Sequence, residues 1–161
     1  IVRQTMAEWS PTPGALTAAG GRVRAELEDT PLPVQFDGEH LRRVFVNLLD
    51  NALRHGSHAP AAVVVRLAAL DARRAALQVF SDGQAIAPDI ERHLFEPFFS
   101  TRSRGSGLGL YICRELCERY GASIDFRPRP GAERLRNEFV VALERAPAEA
   151  LPAGPSTGAN R

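Results

Sequence analysis

The chain has 161 residues, of which 44% are hydrophobic and 24% are charged, a balance typical of one compact domain with a single core. Its 20 Lys and Arg residues and 19 Asp and Glu residues leave a formal net charge of +1 without a basic block, which argues against nucleic acid or anionic lipid as a partner. No apolar run approaches the ~20 residues that span a bilayer, so the chain is predicted to be soluble and to make no direct membrane contact.

The two ends of the chain are predicted to lie outside the folded domain. Residues 1–20 pass from a short amphipathic start into a stretch with Pro and Gly, which indicates a linker or the stub of a preceding helix. Residues 146–161 are rich in Pro, Ala, Gly and Ser, and they cannot bury enough apolar surface to offset the entropy lost on ordering. We therefore predict a domain over residues 21–145 followed by a disordered tail.

The first half of this domain combines strand and helix patterns. Apolar residues alternate over residues 23–27 and 34–36, which predicts two short strands. Over residues 39–54 they recur at spacings of three and four, which is typical of an amphipathic helix. Residues 63–69 and 75–81 flank a polar turn and are rich in Val, Leu and Ala, so they are predicted to pair as antiparallel strands.

The second half continues in the same way. Residues 88–94 begin with Pro and predict a short helix, and residues 108–120 predict a longer amphipathic one. Both cysteines of the chain lie four residues apart on its apolar face, which favours buried reduced thiols over zinc ligands. Strands are expected over residues 122–127 and 136–143. This order of elements predicts an α/β two-layer sandwich, with helices on one face of a mixed, largely antiparallel sheet.

A polar stripe lies on the first predicted long helix, in the segment NLLDNALRH. Asn47, Asn51 and Arg54 follow at spacings of four and three, about a quarter turn from the apolar face. Two amides and a guanidinium at the edge of a cleft suit a hydrated Mg²⁺ ion and phosphate oxygens. An ordinary solvated helix face explains the same pattern, and the motif alone leaves both interpretations open.

A glycine-rich segment, RGSGLGL, precedes the second long helix. Gly105, Gly107 and Gly109 let backbone N–H groups approach an anion, and the N-terminus of the helix favours negative charge. A flexible turn accounts for such a string equally well. The preceding segment LFEPFFSTRS places three phenylalanines beside a polar run, which suits either a mobile flap with hydrophobic anchors or core aromatics at a helix end.

Four motifs in a fixed order resemble a known family. NLLDNALRH, SDGQAIAP, LFEPFFSTR and GSGLGLYICRELCERYGA are similar to the asparagine box, first glycine box, phenylalanine box and second glycine box of sensor histidine kinases. The resemblance covers residues 22–143, and the residues of these motifs are similar to those of the nitrogen-regulation and type IV pilus sensor branches. It implies the Bergerat fold and the ATP-binding catalytic domain of a two-component sensor kinase, a cytoplasmic domain of a bacterial protein associated with the inner membrane.

The resemblance also implies a nucleotide site with ATP and Mg²⁺ as cofactors. It implies that Asn47 and Asn51 are catalytic residues around the metal and phosphate. It also implies that Asn51 is the metal ligand and that Arg54 contacts phosphate. The segment 95–106 becomes the ATP lid, in which Arg102 stands where the family usually has Lys. The remaining nucleotide-binding or phosphate-binding positions implied are Ser81, Asp82, Gly83, Ile86, Phe99, Thr101, Arg102, Gly105, Ser106, Gly107, Leu108, Gly109 and Leu110.

The residue four positions before the metal ligand favours phosphoryl transfer over hydrolysis. Gyrase, MutL and Hsp90 ATPases resemble one another in having Glu there as a general base, whereas Asn47 has an amide that cannot take a proton. Transfer to a nucleophilic histidine is therefore expected. None of the four histidines of the chain stands in a phosphoacceptor motif. The expected partners are the dimerisation and phosphoacceptor domain of the same full-length protein, and a response regulator.

The first glycine box departs from the family pattern Asp-x-Gly-x-Gly. Ser81 stands at the Asp that accepts from the adenine amino group, and Ala85 stands at the second glycine. Asp82 is adjacent, but a shift of one residue at a strand end points its side chain to the opposite face. Losing such a bond should cost about 1–3 kcal/mol of nucleotide binding. An alternative function is therefore a degenerate regulatory module with weak ATP binding or relaxed base specificity, which could accept a guanine nucleotide.

Overall fold

The computed structural model describes residues 1–9, 21–100 and 107–147. Its elements are α1 (Val2–Trp9), β1 (Val23–Leu27), α2 (Gly38–His55), β2 (Val63–Ala69), β3 (Arg74–Ser81), α3 (Pro88–Glu91), α4 (Gly109–Arg119), β4 (Ser123–Pro128) and β5 (Asn137–Glu144). The five strands form one sheet in the order β1-β2-β3-β5-β4. β1 and β2 are parallel and are joined through α2, whereas the other pairs are antiparallel. The predicted mixed, largely antiparallel sheet is confirmed.

α2 is the central helix of the core, and its apolar face matches the predicted spacing. Asp37 caps its N-terminus by accepting a hydrogen bond from the His40 N–H at 3.0 Å. The N–H of Gly56 donates to the Ala52 carbonyl at its other end. The buried face consists of Leu41, Val44, Phe45, Leu48, Leu49 and Ala52. These side chains pack with α1, α4 and one face of the sheet into a single hydrophobic core.

The two thiols of α4 belong to this core, as predicted. Cys113 and Cys117 are fully buried and unpaired by a disulfide. Burial, which disfavours a thiolate, raises the pKa of each to about 12. Both behave as small apolar side chains at neutral pH.

The sheet face away from the helices carries a covered aromatic ring. Phe80 is 3% exposed, and the guanidinium carbons of Arg66 and Arg129 lie 5.1 and 5.0 Å from its ring centroid. Arg66 is held in place by Glu26, whose carboxylate accepts from its Nη2 at 2.7 Å. Long charged side chains therefore cover this ring in place of a second layer of structure.

Two predicted elements differ from the structure. Residues 34–36 make only an isolated bridge, Val34 to Arg145, because the neighbouring Pro31 and Pro33 have no N–H to donate to a ladder. The short helix ends at Glu91, after which the chain continues in turns with i to i+3 hydrogen bonds. Part of the segment 1–20 is the helix α1, which packs against α2. The predicted domain limits stay predictions, and the predicted tail falls largely outside the described residues.

Candidate functional site

The polar stripe of α2 faces the start of α4. Asn47 donates from Nδ2 to the Arg43 carbonyl at 2.9 Å, which turns its Oδ1 toward the other helix. A Cβ placed on Gly109, the first residue of α4, would lie 3.1 Å from that Oδ1. The fold thus brings together two predicted site residues from separate motifs, and the absence of a side chain at Gly109 lets them approach.

Asn51 lies one turn further along the same stripe and is half-buried. Within the described residues its amide has no side-chain hydrogen bond, so its oxygen is available to a ligand. The same ranges contain no group of three or more His, Cys, Asp or Glu side chains that could hold a metal ion. A single amide oxygen fits Mg²⁺, which usually takes few protein ligands and completes its shell with phosphate oxygens and water.

Arg54 ends the stripe in an ion pair that the sequence analysis did not identify. Its Nη2 lies 2.7 Å from Oδ2 of Asp50, one turn earlier, and both side chains are about half exposed. The spacing of four residues was a signal for this pair. Because an exposed pair of this kind is worth only about 0–1 kcal/mol, the guanidinium can exchange Asp50 for an anionic ligand.

The first turn of α4 has no side-chain cap. Leu108 occupies the position before the helix and provides no side-chain hydrogen bond to its first turn. Gly107 has a φ of +66°, and a Cβ there would lie 2.5 Å from the carbonyl carbon of Phe98. Only glycine fits both constraints. Leu110, in the first turn, packs against the core and fixes the direction of the helix.

The phenylalanine segment is partly packed on the core and partly exposed. Phe95 packs edge-on against Phe139 of the core at 6.2 Å, and Phe99 is half-buried beside His93 at 5.5 Å. Phe98, in contrast, is 77% exposed and has a φ of 63°. The predicted site residues Thr101, Arg102, Gly105 and Ser106 lie outside the described residues, and the lid assignment stays a prediction.

Ser81 and Asp82, at the end of β3, have different surroundings. Ser81 is 6% exposed and continues the core-facing side of the strand. Asp82 accepts from the Ser57 N–H at 2.8 Å and from its hydroxyl at 2.7 Å, and Arg134 Nε lies 3.5 Å away. Burial raises the pKa of Asp82, but these partners outweigh it and hold the pKa below its usual range. Asp82 thus fastens the loop that follows α2, and its predicted nucleotide contact stays a prediction.

The loop after β3 packs directly on the last turn of α2. Gly83 is buried, and a Cβ there would lie 2.5 Å from the His55 carbonyl oxygen. Ile86, three residues later, packs against the core. Asn137, which the sequence analysis missed, donates from Nδ2 to the carbonyls of Gly83 and Gln84 at 3.2 and 3.0 Å. An amide at the start of an otherwise apolar strand was the signal that could have revealed it.

In the described part of the chain, none of the helices is long and apolar enough to cross a membrane.

The sequence is similar to those of known proteins. The sequence model of the family described as histidine kinase-, DNA gyrase B-, and HSP90-like ATPase matches residues 36–146. Sensor protein kinase PilS of Pseudomonas aeruginosa is 40% identical over 111 residues, which cover 67% of this chain and 21% of PilS. The C4-dicarboxylate transport sensor protein DctS of Rhodobacter capsulatus is 36% identical over 133 residues, which cover 80% of this chain and 20% of DctS. The chain therefore spans about a fifth of the length of these curated relatives.

Solved structures share the fold. The mycobacterial sensor histidine kinase MprB gives a TM-score of 0.72 at 26% identity, covering 91% of this chain and 93% of that chain. Full-length ShkA in complex with AMPPNP gives a TM-score of 0.65 at 27% identity, covering 91% of this chain and 30% of that chain. The predicted two-layer α/β fold is confirmed by these similarities.

Proposed function

Because this chain belongs to the family of histidine kinase-, DNA gyrase B- and HSP90-like ATPases, we propose that it binds Mg·ATP and transfers the γ-phosphoryl group to a histidine. The resemblance to sensor histidine kinases is confirmed, and the chain is a histidine-kinase-type ATPase domain. The acceptor histidine is expected on a separate dimerisation domain of the same full-length protein, with a response regulator as the next acceptor. A cytoplasmic domain in a bacterial inner-membrane protein is part of the same proposal.

The observation that carries this proposal is the meeting of the α2 stripe with the start of α4. A Cβ added to Gly109 would lie 3.1 Å from Asn47 Oδ1, so phosphate bound at the first turn of α4 would lie beside the stripe. In this arrangement the N–H groups of that turn and Arg54 would bind phosphate oxygens. Asn51 would hold Mg²⁺ through its amide oxygen, and the ion would neutralise part of the phosphate charge.

The chemistry of Asn47 supports transfer instead of hydrolysis. Its amide is already a donor to the Arg43 carbonyl and is no proton acceptor for water. An imidazole is a nucleophile without such help, so a histidine acceptor needs positioning and charge stabilisation only. The relatives named above are sensor kinases, which favours a kinase over the degenerate regulatory module.

Titration calorimetry tests the proposal. We expect the chain to bind ATP in the presence of Mg²⁺. Because Asn51→Ala removes the metal ligand, this variant should lose measurable Mg·ATP binding or phosphotransfer to a separately supplied dimerisation domain. Glu39→Ala, at an exposed position of the same helix, is the matched control and should bind like the wild type. A parallel titration with GTP tests base selectivity. Unchanged transfer by Asn51→Ala would exclude the proposed role of that residue.

A further inference from the structure

Asn137 is a buried amide at the edge of the site. It is the first residue of β5, is 4% exposed, and pairs in register with Ser81 at the end of β3. Both residues lie on the core-facing side of the sheet. A buried amide is costly unless its hydrogen bonds are made, so its partners indicate what it does.

All of its partners are backbone groups of one short loop. Nδ2 donates to the carbonyls of Gly83 and Gln84 at 3.2 and 3.0 Å, and Oδ1 accepts from the N–H of Ile86 at 3.4 Å. Both amide donors are thus used, which fixes the orientation of the side chain. The amide replaces the ladder partners that the loop loses where β3 ends.

The loop fastened in this way follows Ser81, which the family resemblance places at the adenine, and it contains the implied nucleotide-binding residues Gly83 and Ile86. One end is fixed because Gly83 packs on the His55 carbonyl. The other end carries Ala85 where the family has a second glycine. The loop backbone therefore has less conformational freedom there, and the hydrogen bonds from Asn137 hold its conformation.

We propose that Asn137 is a positioning residue that pre-forms the loop 83–86 as the base-binding wall of the nucleotide site. The inference rests on the proposed function, since it assumes that ATP binds here. With the loop already ordered, the ligand pays less conformational entropy on binding. Without the amide, two buried carbonyls lose their donors and the loop must be reordered by the ligand itself.

The test compares three variants of the full chain at a temperature where their far-UV circular dichroism equals that of the wild type. Asn137→Ala removes all three bonds, and Asn137→Asp keeps the volume but loses both donors. Glu138→Ala is the matched control: this neighbouring residue is 7% exposed and accepts from Gln78 at 2.7 Å, away from the loop. Dissociation constants for Mg·ATP and hydrogen exchange at residues 84–86 are measured for each.

We expect both Asn137 variants to raise the dissociation constant at least about tenfold and to speed exchange in the loop, and Glu138→Ala to change either by less than about twofold. The proposal is overturned if Asn137→Ala binds like the wild type, if Glu138→Ala loses equal affinity, or if neither Asn137 variant folds, which would make Asn137 a stability residue. If the wild type itself binds no ATP, the proposed function and the base-binding role fall together, and loop exchange alone then decides whether Asn137 fastens the loop.

Discussion

Replacing Gly83 with Ala should destabilise the protein through a single steric conflict. The added Cβ would lie 2.5 Å from the carbonyl oxygen of His55 and 3.0 Å from its carbonyl carbon. Both are backbone atoms of α2, so no side-chain rotation can relieve the contact. Either the last turn of α2 or the loop after β3 must shift, and the Asn137 bond to the Gly83 carbonyl shifts with it.

The magnitude follows from two opposing effects. Overpacking of this kind costs about 3 kcal/mol at the upper end of its usual range. Alanine also lowers the conformational entropy of the unfolded chain, which stabilises the folded state by about 0.4–1 kcal/mol. A net loss of about 2 kcal/mol in the free energy of unfolding remains, which corresponds to a fall of about 4–8 °C in the melting temperature for a chain of this size.

Urea unfolding followed by circular dichroism measures this loss. Gly121→Ala is the control, since Gly121 has a φ of +65° but nothing within 4 Å of an added Cβ. It should lose about 1–2 kcal/mol from backbone strain alone, without affecting nucleotide binding. A Gly83→Ala variant whose free energy of unfolding lies within about 0.5 kcal/mol of the wild type would refute the close packing of the loop on α2.

Other perturbations test separate parts of the site. Gly109→Ala should change the free energy of unfolding by no more than about 1 kcal/mol. It should nevertheless weaken Mg·ATP binding severalfold, because the added Cβ would force Asn47 to move, and an unchanged affinity would contradict this role of Asn47. Because the folded pKa of Asp82 lies below the usual value for Asp, the stabilisation from this carboxylate is complete above that usual value and is lost as the pH falls through the folded pKa. Asp82→Asn should therefore flatten the dependence of the free energy of unfolding on pH in that acid window, and an unaltered pH profile would count against the role of Asp82. With pKa values of about 12, Cys113 and Cys117 should react with a thiol reagent at pH 8 only on unfolding, and rapid labelling of the folded protein would contradict their burial.

The sequence predicted the long helices and the main strands because their periodicity reflects burial directly. The buried positions of α2 follow the spacing of three and four that the sequence displays. It failed where a local preference competed with tertiary packing. The pattern of residues 1–20 allowed a linker or the stub of a preceding helix, and it did not show that the helix α1 buries Val2 and Met6 in the core. Residues 34–36 alternate like a strand, but the preceding Pro31 and Pro33 leave them a single bridge.

The candidate site was predictable where a motif is contiguous and not where partners are distant in sequence. Asn47, Asn51 and Arg54 could be placed on one stripe because helix geometry is fixed. The contact between Asn47 and Gly109 and the tie from Asn137 to Gly83 join residues more than 50 positions apart. Such contacts depend on strand order, which no local pattern in the sequence specifies.

The two arginines over Phe80 affect how copies of this domain behave next to one another. An aromatic ring on a bare sheet face would be a patch that attracts apolar surfaces of other molecules. Arg66 and Arg129 cover the ring with their stems and present charge to water. Copies approaching through this face meet the charged groups of Arg66, Arg129 and Glu26 before they meet the ring. A sheet with helices on one face only can thus keep an aromatic ring on its other face away from the apolar surfaces of neighbouring molecules.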